Sequence, residues 1–359
     1  MTFIEPSYEF MEIPEATDHM GVLKFIERIG RVCYKSEDRI TDDSAIKFVE
    51  MIRDRKHWAI LEHYIFIMEV DYEIYNAFIL LEEHNSELRR LMKYINLSLF
   101  IKNDVNHYII SGSATAFNNI FSNNYFDTIT DYDIVYALDV FLFLKQEFPE
   151  LIYDNIYFDT VYTRNAIRFL SRDEIKSLPL NLRLTHDFMT VKYATDRGVS
   201  HELVRHRECS WAQESTRYVN YGKKPTSFII PNWISKEDKE ILLSDNRVTL
   251  YSLLNTLDID TKLSPETKLF VESVVNSMRS YERLLNAYHW TAQQARAVLP
   301  NAIKTEIVQT CNLKEWVHFF SLRISARSHS QMRELTVPMF KELLRNSDSK
   351  EWISLVKLD

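Results

Sequence analysis

The chain has 359 residues, enough for one large domain or two ordinary ones with a sizeable core. Hydrophobic residues make up 46% and charged residues 26%, the balance of an ordinary soluble globular protein. The formal net charge of −8 argues against non-specific attraction to nucleic acid, so any anion site has to be built locally.

Cys33, Cys209 and Cys311 are far apart and form no CxxC pair, which argues against a disulfide scaffold or a zinc cluster and for a reducing compartment. No metal site is expected. The first residues carry several acids and no apolar core of signal-peptide length, and no stretch of 18 apolar residues occurs. A cytoplasmic protein without a membrane span is expected. With only five glycines, neither a Gly-x-Gly-x-x-Gly turn nor a Walker loop is present.

In chain order, "MGVLKFIERIGRVCYKS" has helical apolar spacing at Leu23, Phe25, Ile26 and Ile29. "TDDSAIKFVEMIRDRKH" predicts a second helix capped by Thr41 or Asp42. "YIFIMEVDYEIY" reads as a strand. Residues 76–187 form a long middle region with predicted helices at "SELRRLMKYINLSLFI" and "DYDIVYALDVFLFLKQEF" and turn-like text at "FNNIFSNNYFD". It shows no catalytic constellation and reads as a mostly helical insertion packed on the core.

"DFMTVKYATD" predicts a strand, "RGVSHELVRHR" a short helix and "TSFIIP" a strand. Ser264-Pro265 opens a helical pattern that runs to Pro300. "NAIKTEIVQTC" predicts a strand, and the stretch from Asn312 to Leu344 two helices. Helices and strands mix without regular βαβ alternation, so the expected class is α+β in a single catalytic domain, 1–359.

The densest donor chemistry lies in "ELVRHRECSWAQESTRY". In a helix, Arg205 and Arg207 would point roughly 200° apart and face two partners; in a strand they would share a face. Arginine suits phosphate or carboxylate because its planar fork donates in pairs. Ser215, Thr216 and Arg217 add donors, so a phosphate cradle without glycine is plausible. The plain alternative is a solvated helix end with ion pairs to Glu202, Glu208 and Glu214.

The spacing Arg-His-Arg, seven residues, then Ser (Arg205-His206-Arg207 to Ser215) resembles the signature of the flavin-dependent thymidylate synthases. "GRVCYKS" and "HWAILEH" resemble that family's N-terminal blocks, "DRGVSHELVRHRECSWAQESTRYVNY" its central block, and "ARAVLPNAIKT" and "CNLKEWVHFFSLR…HSQMREL" its C-terminal blocks, all in the family's order. The resemblance implies the family's α+β fold, a homotetramer with shared active sites, and conversion of dUMP to dTMP. It implies methylenetetrahydrofolate as co-substrate, FAD as hydride carrier and NADPH as reductant.

It also implies roles for single residues. Arg323 is the catalytic candidate, a fixed cation at the pyrimidine ring where charge develops on N3 and O2. dUMP would be held by Glu202, Leu203, Val204, Arg205, Gln213, Glu214, Ser215, Thr216, Arg217, Arg296 and Arg323, with Arg296 reaching a neighbouring subunit's site. FAD would contact His57, Ala59, Arg205, His206, Arg207, Gln213, Asn312, Lys314, His318 and His329. His63 is held as a structural histidine or a flavin-region residue.

No cysteine follows a proline, as the nucleophile of classical thymidylate synthase does, although Cys209 lies in the motif. Three departures concern the flavin and folate: Ala59 replaces a hydroxyl residue, Lys314 replaces an arginine fork, and "SGSATAFNN" has Ser113 and Ala114 where longer members carry Asn and Arg. Competing readings are the same scaffold methylating or hydroxymethylating another pyrimidine nucleotide, a single-stranded nucleic-acid binder using Trp211 and Tyr218, and a non-catalytic nucleotide-binding subunit.

Overall fold

The computed structural model describes residues 1–84, 86–121, 135–153, 162, 165–244 and 263–357. Its strands are β1 (Thr2–Ile4), β2 (Ser7–Met11), β3 (Ile65–Val70), β4 (Asn96–Lys102), β5 (Val105–Ser113), β6 (Ile167–Phe169), β7 (Phe188–Asp196), β8 (Ser210–Gln213), β9 (Ser227–Ile229) and β10 (Lys304–Asn312). Together with the helices they make an α+β protein.

The first sheet has the order β2-β7-β10-β8 and is antiparallel throughout. The two long central strands run in register from Phe188 opposite Asn312 to Asp196 opposite Lys304. Alternation along β10 splits its side chains between two layers. Ile307 and Cys311 join Val191 and Tyr193 against the aromatic face of helix Leu313–Arg323, namely Trp316, Phe319 and Phe320. Val308 and Ala212 join the core beneath helix His19–Tyr34. The sheet therefore lies between two helical layers, and its loops emerge between them.

The second sheet, β4-β5-β3-β6, is also antiparallel. One face shares the large core with His19–Tyr34, and the other packs Ile67, Ile109 and Leu170 on Ile175. β4 and β5 are joined by Asn103 and Asp104, both left-handed at φ 52° and 58°. Such a two-residue turn matches the strand twist, and Asn and Asp tolerate it best after glycine. A third unit lays helix Pro265–Asn286 over parallel β1 and β9, burying Val271, Val274, Val275, Met278 and Tyr281 at helical spacing.

Several expected elements need correction. "SELRRLMKYINLSLFI" is not one helix: it is a helix over Ser86–Met92 and then β4, where its β-branched and aromatic residues pair with β5. The strand expected over 64–75 stops at Val70, because the Asp71 carboxylate accepts from Ile74 N at 3.0 Å and starts helix Tyr72–His84. Neither Thr41 nor Asp42 caps the second helix; Asp43 precedes helix Ser44–Asp54 and makes no side-chain cap bond. Ser44 Oγ instead donates to the Thr41 carbonyl and to Glu27.

Part of the turn-like text is helix Ala114–Phe121; its residues 122–127 lie outside the described residues. The helix opened by Ser264-Pro265 ends at Asn286, where His289 turns left-handed at φ 57°, and two short turns fill the rest of the run. The middle region is not mostly helical in its sheet-forming part, since it supplies β4, β5 and β6 to a sheet whose central β3 lies outside it.

Candidate functional site

Helix Arg197–Leu203 is started by Asp196, whose Oδ1 accepts from Val199 N at 2.7 Å and whose Oδ2 accepts from Gln331 Nε2 at 2.8 Å. The helix stops at Leu203, and the chain turns sharply before β8. Trp211 Nε1 pins that turn by donating to the His206 carbonyl at 2.9 Å. The Arg-His-Arg triplet is thus neither helix nor strand, which corrects both geometries considered above. The turn exposes Arg205, Arg207 and Val204 and buries His206 and Leu203.

Buried His206 meets the C-terminal end of helix Leu313–Arg323. Arg323 Nε donates to His206 Nε2 at 2.9 Å, and Arg323 Nη2 donates to the Glu202 carbonyl at 2.9 Å. Burial pulls the Arg323 pKa down, against the opposing pull of Glu202. Glu315, one turn into the same helix, places its carboxylate 3.7 Å from His206 Nδ1. His206, Glu315 and His318 bring ligand-type atoms within 4.8 Å of one another, but the His206 Nε2 lone pair is already engaged by Arg323.

The second limb of the motif, 213–217, rests on a buried ion cluster. Glu214 is 1% exposed; its carboxylate accepts from Tyr221 OH at 2.8 Å and from Lys304 Nζ at 3.2 Å, and Lys35 Nζ lies 3.5 Å away. Lys304 also binds Glu306 at 2.6 Å, and Glu306 binds Lys192 at 2.9 Å. Burial alone would discharge these groups. The neighbouring carboxylates outweigh it and raise the Lys304 pKa, while Lys304 and Lys192 outweigh it and lower that of Glu306. The Glu214 side chain therefore points inward and anchors the loop, so only its backbone can face a ligand.

Above this cluster the loop is held by Ser215 N donating to the Cys33 carbonyl at 3.0 Å. Gln213 Nε2 donates to Ser200 Oγ at 2.7 Å. Arg296 Nη1 donates to Thr216 Oγ1 of the same chain at 3.4 Å. Arg217 lies over the Tyr218 ring at 4.4 Å, Tyr218 packs on Tyr34 at 5.4 Å, and Tyr34 OH bonds His57 Nδ1. His57 is pushed toward its neutral form by burial first, then by Arg55 and Arg217.

Asn312 caps helix Leu313–Arg323 by accepting from Glu315 N at 2.9 Å, and Lys314 and His318 are exposed on its first turns. Ala59 is exposed on the short helix Trp58–Leu61. His329 packs edge-on to Trp233 at 6.1 Å, and both line a cavity of ≈ 530 Å³ that Glu202 also lines. His63 is buried, bonds Thr310 at 2.8 Å through Nδ1, and leaves Nε2 without a partner. Ser113 and Ala114 are buried, Ser113 ending β5 and Ala114 opening helix Ala114–Phe121.

Sequence reasoning missed Glu315, Lys304 and Tyr34. Glu315 reads as an ordinary acid in the first turn of a helix, and Lys304 as a strand-end lysine. Only the fold shows what each approaches.

One pattern unites the predicted residues. Arg205, Arg207, Arg217, Arg296 and Lys314 form no ion pair with a carboxylate among the described residues, in a chain with 51 acids and 43 Lys and Arg. They lie on the Arg-His-Arg turn, the loop after β8, the short turn at Arg296 and the first turn of helix Leu313–Arg323. Residues 182–346 match the family model described as thymidylate synthase complementing protein.

Among curated relatives, a flavin-dependent thymidylate synthase from Thermococcus kodakarensis is 30% identical over 211 residues, covering 56% of this chain and 75% of the relative. One from Pyrococcus furiosus is 29% identical over 206 residues, covering 55% and 73%. Among solved structures, thymidylate synthase X from Helicobacter pylori with FAD and dUMP aligns at TM-score 0.33 and 17% identity, covering 47% of this chain and 73% of that one. A UMP/dUMP methylase from Streptomyces cacaoi aligns at TM-score 0.35 and 21% identity, covering 48% and 72%. The chain belongs to the flavin-dependent thymidylate synthase family.

Proposed function

We propose that the protein makes dTMP from dUMP, with methylenetetrahydrofolate as carbon donor, FAD as hydride carrier and NADPH as reductant. The observation that carries this is the set of five unpaired cations around the Arg-His-Arg turn, the 213–217 loop and the Asn312 cap. These cations lie within the segment that matches the family model, and a phosphate-bearing ligand would complete their charge.

The donor set fits FAD. Arg205, Arg207 and Lys314 are exposed charges suited to a diphosphate, and the Asn312-capped helix presents its N-terminus beside them. His57, Ala59, His206, Gln213, His318 and His329 complete the proposed FAD contacts. Bound FAD supplies the hydride for the one-carbon transfer. Lys314 keeps the charge of the family arginine but not its fork, so flavin is held there by a point charge.

For dUMP, Ser215, Thr216, Arg217 and Arg296 offer hydroxyl and guanidinium donors to phosphate and sugar, with Glu202, Leu203, Val204 and Arg205 at the end of helix Arg197–Leu203 completing the proposed contacts. Arg323, fixed and partly desolvated, stabilises negative charge on the pyrimidine N3 and O2 as C5 becomes nucleophilic. Burial raises the Cys33 thiol to about 12, and it raises Cys311 as well, so neither is a ready nucleophile. The family resemblance supports a cytoplasmic homotetramer with shared sites, and a single catalytic unit over 1–359 that 76–187 elaborates. No described helix is long and apolar enough to cross a membrane.

The test is the visible spectrum of purified protein with added FAD, followed by tritium release from [5-³H]dUMP with NADPH and methylenetetrahydrofolate. Flavin bands that bleach with NADPH, and release that requires all components, are expected. Protein that ignores FAD and releases no tritium would sink the proposal.

A further inference from the structure

A guanidinium is planar and carries five N–H donors on fixed edges. The side edge of Arg323, Nε with the adjacent Nη2–H, is fully used inside the protein: it donates to His206 Nε2 and to the Glu202 carbonyl, each at 2.9 Å. The end edge, Nη1 with the second Nη2–H, has only the Glu202 carboxylate at 3.8 Å. One edge is clamped and the other offered.

The clamp depends on the form of His206. An Nε2 that accepts from an arginine N–H carries no proton, so the ring proton lies on Nδ1. Nδ1 faces the Glu315 carboxylate at 3.7 Å, which favours that tautomer. The imidazole is 5% exposed and packs edge-on to Phe319 at 4.9 Å, so its plane is set by the core. The charged and titratable groups around it are Arg323, Glu315 and His318 from the following helix, and Glu202 from its own segment.

We infer that His206 is a positioning residue. As the Nδ1–H tautomer backed by Glu315, it holds the side edge of Arg323 so that the end edge faces a planar ligand edge carrying a carbonyl acceptor on which negative charge develops. This rests on the dUMP reading above, in which the uracil ring supplies that edge. His206 then acts through Arg323 as well as lying beside the flavin, and Glu315 acts through His206.

The experiment uses the full-length protein and three readouts: bound FAD per chain, dUMP affinity by calorimetry, and the split between KM and kcat. With FAD added to saturation, His206→Phe should lower kcat/KM about tenfold or more and weaken dUMP. His206→Asn, whose amide oxygen can accept from Nε–H, should return it to within about threefold. If Phe performs like His, or if the loss tracks loss of FAD, the inference is overturned. Arg323→Ala separates the two readings: unchanged dUMP binding and turnover would reject the dUMP reading, whereas a large loss with a neutral His206→Phe rejects only the positioning role. Histidine ¹⁵N shifts of the unmutated protein, which need no variant to fold, should show Nε2 unprotonated; the opposite tautomer overturns the inference.

Discussion

On the sheet β4-β5-β3-β6, Glu69 bonds both His107 and Arg168, and Arg168 also reaches Glu174 at 2.8 Å. Around β2-β7-β10-β8, Glu214, Lys304, Glu306 and Lys192 pair with one another, while Arg205, Arg207, Arg217, Arg296 and Lys314 meet no carboxylate among the described residues. The paired face lines a cavity of ≈ 620 Å³, larger than the ≈ 530 Å³ cavity beside Glu202 and His329. Volume therefore does not locate the chemistry here. The segment that matches the family model, residues 182–346, points to it instead, and it carries Arg205, Arg207, Arg217, Arg296 and Lys314.

The comparison breaks first at Arg323. Arg323→Ala should cost about a hundredfold or more in kcat/KM by tritium release, the scale of removing a fixed donor at developing charge. A change under tenfold would mean the first sheet holds no such donor there.

Next comes the buried cluster beneath the loop. Lys304→Met strips Glu214 of its closest cation, and urea unfolding should show a loss of about 3 kcal/mol. An unchanged midpoint would mean Tyr221 and Lys35 suffice to hold that carboxylate.

The second sheet has its own titration. Burial depresses His186 from 6.5 to about 4, with both ring nitrogens bonded to Ser111 and Ser98 at 2.8 Å. The unfolded chain accepts a proton that the fold refuses, so this contribution is whole above pH 6.5 and is lost as pH falls through 4. The full effect is about 3 kcal/mol, and His186→Gln should flatten the stability–pH slope in that window by one proton. A slope that the variant leaves unchanged would assign the acid sensitivity elsewhere, for instance to His63, which burial depresses to about 3.

Smaller effects separate free charges from paired ones. Arg207→Ala should weaken FAD binding about tenfold, the scale of one charge-assisted hydrogen bond, with little change in stability. Arg168→Gln, which breaks only partly exposed pairs on the second sheet, should move stability by about 0.5 kcal/mol and leave tritium release unchanged. If Arg168→Gln lowers turnover while Arg207→Ala leaves FAD binding intact, the two faces have been assigned the wrong way round.

Much of the first sheet was legible in the chain. β7 alternates polar and apolar residues over Thr190–Tyr193, β10 is a short run rich in β-branched residues, and the last helices carry aromatic side chains at helical spacing. The second sheet was harder: "NLSLFI" follows helix-forming text without glycine or proline, and β4 is a strand because β5 lies beside it. The Arg-His-Arg spacing named the family, yet it could not say that Glu214 points inward.

By itself the sequence determined the residue types, their spacing, and thus the family and the set of cations, because these need only local order along the chain. Tertiary structure alone decided which cations lack partners, that Lys304 and Glu214 share a buried pair, and that His206 accepts from Arg323. Those depend on residues 90 and 117 positions apart meeting at fixed angles, and a hydrogen bond's direction exists only once both ends are in place.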